Sequence, residues 1–230
     1  ICSVYTPEGL ITVGKRIDNN DPEFAGVTEI ELVRDIDMSG YAWTPIKEWK
    51  EGMTFNGNKK TIKNLNISVN TAHFDADGNL ANSYLKAAGF VAWNNGTIKD
   101  VKFDGANVKG VTSVGVVAGE SYDGSIEDVV IENSTVKGNK TVGGVVGYTE
   151  GTLLKNNVVI ASTVTATPYK YADNTYGDGN NVGGIAGLAY ENIIVGNEAH
   201  KMVLNAYRDA GGIVGTISSD TGKVELNSNK

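Results

Sequence analysis

Cysteine occurs once in these 230 residues, at Cys2, so no disulfide forms within the chain and this thiol reads as an ordinary buried one. Histidine is nearly as scarce. His73 and His200 stand alone, and neither belongs to the His-Glu-any-any-His pattern of a zinc peptidase. Arginine is limited to Arg16, Arg34 and Arg208, none placed among paired acids as polysaccharide hydrolase or lyase chemistry requires. Apolar runs stay well short of the roughly 20 residues of a membrane span, which speaks against membrane insertion. The net charge is −7 with lysine and glutamate scattered singly, so no nucleic-acid footprint or basic membrane face is present. No nucleophile elbow, Cys-His arrangement or phosphate loop stands out. The expectation is a non-catalytic protein without cofactor or metal.

Glycine, by contrast, is abundant, and with valine, isoleucine, asparagine and threonine it builds a repeat. Taking Ile62, Ile98, Ile126, Leu154, Ile194 and Val224 as position zero, residues five further on are Ile67, Phe103, Ile131, Val159 and Ala199. Ten further on are Ala72, Val108, Val136, Val164 and Leu204, and none of these is polar. The two successive steps from Ile98 to Leu154 are 28 residues each, while the step from Leu154 to Ile194 is 40. A period of this size implies stacked units that bury their apolar sides against one another. Short Val/Ile/Thr segments separated by Gly, Asn, Asp and Ser read as strands and turns. Position +2 holds Asn64, Asp100, Asp128, Asn156 and Gly196, residues that tolerate a left-handed backbone, so a corner is expected there. Position +3 changes from Leu65, Val101 and Val129 to Asn157, Asn197 and Asn227, which predicts a stack of hydrogen-bonded amides. The small column Ala92, Ala118, Gly147, Gly187 and Gly215 marks a close backbone approach. These features predict an all-β, right-handed parallel β-helix with about three strands per coil.

The segments 143–147, 183–187 and 211–215 (GGVVG, GGIAG, GGIVG) resemble the GLUG motif, and 88–92 and 114–118 depart from it by one glycine each. Upstream, DIDMSGYAWTPI followed by FNGNKKTIKNLNI is similar to the leader that precedes such repeats in gut-bacterial surface proteins. The resemblance implies a β-helix module of bacterial surface or secreted proteins, also found in the accessory region of IgA-cleaving metallopeptidases, and hence an extracellular or cell-surface location.

One domain over 1–230 is expected, with 1–27 as an N-terminal helical cap and 28–230 as coils. Thr6 is a fit N-cap, Pro7 suits the first helical position, Glu8 favours the positive end, and Leu10, Val13 and Ile17 share a face. Trp43, Ile46 and Phe55 are expected to line the first coil. The last unit stops midway through a coil, and the natural polypeptide is expected to continue into neighbouring domains.

Insertions at 73–86 and 167–181 enlarge the same corner of the coil, three coils apart. They carry the candidate ligand-binding residues Phe74, Asp75, Asp77 and Tyr84, and Tyr169, Tyr171, Asp173, Tyr176 and Asp178. Lys109, Lys137 and Asn139 on the short corners between would form the floor of a trough. Loops on a rigid scaffold carry recognition, and aromatic faces with amides and carboxylates suit a polyhydroxylated ligand. The run from Asp75 to Asn79 begins like a calcium loop but has its glycine in the fourth place and no closing glutamate. Asp100 and Asp128 read as corner residues rather than a catalytic pair. The function expected is adhesion or binding of a glycan or host surface protein; a carbohydrate-active enzyme or its accessory piece, and a structural spacer, are the alternatives.

Overall fold

The computed structural model describes residues 1–69, 87–168, 180–221 and 224–230. Among the described residues it is mostly β, with one α-helix at Pro7–Asp18. The strands form four sheets, one of 12 strands, one of 6 and two of 5. Pairing is parallel throughout the described residues, and the path is the same in each repeat. From Ser113–Val114 the chain enters the six-stranded sheet at Ala118–Tyr122, then lays Ser125–Glu127 and Val130–Glu132 into the twelve-stranded sheet. Thr135–Gly138 joins one five-stranded sheet, and Thr141–Gly143 returns to the other, beside Ser113–Val114. Each regular repeat therefore contributes five short strands to four sheets, more than the three the repeat pattern predicts.

The extra strands come from extra corners. Asp123, Asp128 and Asn133 all have positive φ, as do Gly151, Asn156 and Ala161, and Glu191, Gly196 and Lys201. A left-handed residue thus recurs every fifth position, and each one re-aims the chain so that the next side chain faces inward. At six of these nine corners the residue that follows is polar and buried: Ser134, Thr152, Asn157, Ser162, Asn192 and Asn197. All of these except Thr152 accept the backbone N–H of the counterpart one repeat earlier. Asn157 Oδ1 accepts from Val129 at 3.1 Å, Asn197 Oδ1 from Asn157 at 3.0 Å, Ser162 Oγ from Ser134 at 3.1 Å and Asn192 Oδ1 from Thr152 at 2.8 Å. Each corner so bonded would otherwise bury an unpaired amide, at a cost of about 1–3 kcal/mol.

Between the ladders lies the apolar core. Ile98, Phe103 and Val108, Ile126, Ile131 and Val136, and Leu154, Val159 and Val164 are all fully buried. Trp43 stacks on Phe90 with centroids 4.9 Å apart and donates its Nε1 hydrogen to the Phe90 carbonyl at 2.9 Å, so it is a core residue. Thr6 caps the helix, accepting from Gly9 N at 3.1 Å, and Leu10, Val13 and Ile17 join the core.

Three register details differ from the repeat arithmetic. Ile98 pairs with Phe55, and Ile62 pairs with Phe103, so Ile62 stands at +5 and Asn64 at the following corner. The chain between Asn56 and Lys60 is bulged, which hid the shift. At the far end Ile194 pairs with Leu226 rather than Val224, and the amide stack ends in Asn229, which accepts from Asn197 N at 2.9 Å, instead of Asn227. The small column contains Gly119 where Ala118 was expected, because Ala118 pairs with Val146. Gly115 to Gly119 therefore aligns with Gly143 to Gly147 and keeps both terminal glycines.

Candidate functional site

The strands on either side of the insertions fix where each departs. Asn66–Ser68 and Thr163–Ala166 belong to one five-stranded sheet, three steps apart, and Ala87–Ala88 and Asn181–Gly183 belong to the other. Both insertions therefore leave one sheet and rejoin the same neighbouring sheet, roughly 14 Å apart at the spacing of parallel strands. Of the candidate residues, Phe74, Asp75, Asp77, Tyr84, Tyr169, Tyr171, Asp173, Tyr176 and Asp178 lie outside the described residues. Lys109 and Lys137 are exposed and directly paired across adjacent strands. Asn139 is half-buried and donates through Nδ2 to the Thr167 carbonyl at 2.9 Å, so its amide serves the corner itself. Where the second insertion rejoins, the Asn180 side chain is fully buried, and neither of its polar atoms is paired among the described residues.

The outer face of the six-stranded sheet carries a feature the sequence reading passed over. Strand register puts Glu48, Trp93, Glu120, Tyr148 and Leu188 in one column. Tyr122, Glu150 and Tyr190 form the next column. The central residues make a checkerboard of rings and carboxylates, all half-buried. Tyr122 donates to Glu120 Oε2 at 2.7 Å and Tyr148 to Glu150 Oε2 at 2.8 Å, and the two rings pack 5.7 Å apart. Burial, and then the bond to glutamate, raises the pKa of both phenols well above the ordinary value. Tyr190, bonded to Asp220, is pushed up to about 12.

A glycine column sets the pitch of this face. A Cβ on Gly147 would lie 2.3 Å from Val114 N, and one on Gly187 would lie 2.5 Å from Val142 N. Only glycine lets these strands cross the neighbouring sheet in backbone contact. The face consequently overhangs the sheet that the insertions rejoin, and Ser113 reaches up to donate to Glu120 Oε1 at 2.9 Å. The signal was present in the sequence as period-two alternation after each glycine: Glu120 and Tyr122, Tyr148 and Glu150, Leu188 and Tyr190.

Other candidates resolve into structure. Asp100 and Asp128 occupy left-handed corners, and Asp128 Oδ1 accepts from Asn156 Nδ2 at 3.1 Å. Among the described residues no group of three or more His, Cys, Asp or Glu is placed to hold a metal ion, and no helix is long and apolar enough to cross a membrane.

A solved structure shares this fold. It is the crystal structure of a candidate immunoglobulin A1 protease from Bacteroides ovatus, with a TM-score of 0.56 and 15% identity, the match covering 98% of this chain and 77% of that one. At that identity the likeness concerns the fold alone. No family model matches the sequence, and no curated protein matches it.

Proposed function

We propose that this chain is a non-catalytic binding module of a secreted or surface-displayed bacterial protein, built as a right-handed parallel β-helix of the GLUG-repeat type. In this reading residues 1–27 cap the coils of 28–230, and the ligand is a glycan or a glycosylated host surface protein. The observation that carries it is the common departure of the two insertions, which leave the same sheet and rejoin the same neighbour. A rigid stack holding two long loops on one side is how a scaffold presents recognition residues without moving them. The fold shared with the Bacteroides ovatus protein fits an accessory role beside a larger assembly.

The test is a glycan-array and mucin-binding screen of the chain beside a variant with Tyr169, Tyr171 and Tyr176 changed to Ala. Binding that the variant loses supports the loops as the recognition surface. Absence of binding by the folded wild type overturns the reading in favour of a spacer. Release of reducing ends from any bound polysaccharide would move it to the carbohydrate-active alternative.

A further inference from the structure

The checkerboard on the six-stranded sheet is separate from the insertions in sequence and has its own chemistry. Its hydroxyl hydrogens are already used: Tyr122 on Glu120, Tyr148 on Glu150, Tyr190 on Asp220 and Ser113 on Glu120. What the patch between Glu120 and Tyr190 offers outward is ring faces, phenolic lone pairs and carboxylate oxygens. Glu150 is bonded through Oε2 alone among the described side chains. Such a surface accepts hydrogen bonds without returning any, and the ring quadrupoles add to the negative charge of the glutamates. An anionic sugar would be repelled, and a neutral one would leave its own acceptors unpaired.

We propose that this face docks an arginine-bearing extended polypeptide segment of a partner protein, laid along the stacking direction of the strands. Charge complementarity and ring geometry select that occupant. A guanidinium is planar, stacks on a tyrosine face and bonds a carboxylate through two parallel N–H groups. Glu120 and Glu150 stand on adjacent strands, each with a tyrosine beside it along the strand and another across it. Neighbouring guanidinium groups therefore each find a carboxylate and a ring within one strand spacing, about 4.8 Å. The face is also preorganised, because the Tyr–Glu bonds fix the carboxylates before any partner arrives.

Fluorescence anisotropy with a fluorescein-labelled peptide of alternating arginine and serine, at physiological ionic strength, tests the proposal. The wild type is expected to bind, and the double variant Glu120→Gln, Glu150→Gln to bind at least about tenfold more weakly, since both charge-assisted contacts are lost. Gln retains an acceptor for each tyrosine hydroxyl, so the sheet keeps its cross-strand bonds. A charge-matched control, Glu51→Gln with Glu225→Gln on exposed sites elsewhere, is expected to stay within about twofold, because isolated surface charges are screened. Equal weakening by both double variants would reduce the effect to net charge and overturn the proposal, as would absence of peptide binding by the wild type. Displacement of the peptide by a neutral oligosaccharide would also overturn it. The Glu120/Glu150 variant keeps the residues of both insertions, so the glycan screen and the peptide assay succeed or fail independently.

Discussion

Asn157 shows how one buried side chain holds two repeats. Its Oδ1 takes the Val129 amide at 3.1 Å, while its Nδ2 serves the Ile126 carbonyl at 2.8 Å and Asn197 Oδ1 at 2.9 Å. Asn157→Leu keeps the branching and size of the side chain and deletes all three bonds, leaving the buried Val129 N–H and Ile126 carbonyl without these partners. The expected loss is about 1–3 kcal/mol, read as a lower urea midpoint at unchanged slope; an unchanged midpoint would show that the ladder is dispensable. The tyrosines allow a second check at this scale. For Tyr122, Tyr148 and Tyr190 the folded pKa lies above the unfolded value near 10, with Tyr190 at about 12. Their contribution to stability is therefore complete below about pH 10 and disappears as the pH climbs through the folded values. At about pH 11, absorbance at 295 nm should report fewer tyrosinates in the native protein than in the same protein unfolded in urea. Equal numbers in both states would contradict the packing of the checkerboard.

At the level of strands, crowding depends on which repeat lies above. A Cβ on Gly184 would meet the Gly212 carbonyl oxygen at 2.0 Å, whereas one on Gly212, the same position in the last described repeat, meets nothing within 4 Å. Gly184→Ala is accordingly expected to lower the melting temperature by several degrees or prevent folding, and Gly212→Ala to change it by little more than about 1 °C. Matching melting temperatures for the two would mean that close backbone approach is not what selects glycine here. Much of this organisation was readable from the sequence. The columns from Ile98 to Ile194 and the amides of Asn157 and Asn197 follow from spacing alone, because three regular repeats constrain one another. The register failed at both ends, at Ile62 and Val224, where a bulge and an irregular spacing interrupt the period and no further repeat corrects the count. The strand number was underestimated because left-handed corners at Ala161, Glu191 and Lys201 use residues that do not advertise a turn. For the candidate site, the side from which the insertions leave was legible from lengths. The Tyr/Glu face was not, since half-buried rings alternate with core residues and read as packing.

Across the whole molecule, burial is graded. Ile98, Ile126, Leu154 and Ile194 are fully buried, while Leu226 in the same column is 46% exposed, and Val203, Tyr207 and Ile217 are exposed as well. In a stack whose units touch only their neighbours, local opening follows that gradient. Hydrogen exchange should be slowest in strands between Ser113 and Ala166 and faster by orders of magnitude in those after Glu198. Uniform protection would point to all-or-none opening of the whole stack. The ladders also have a direction in time. Each acceptor belongs to the later repeat and each amide it satisfies to the earlier one, as with Asn197 and Asn157 or Asn229 and Asn197. A repeat lacks the acceptors that its successor supplies until that successor packs onto it, so the corners of each repeat close only after the next one is in place. The stack is thus fastened in one direction, each turn held by the one that follows it.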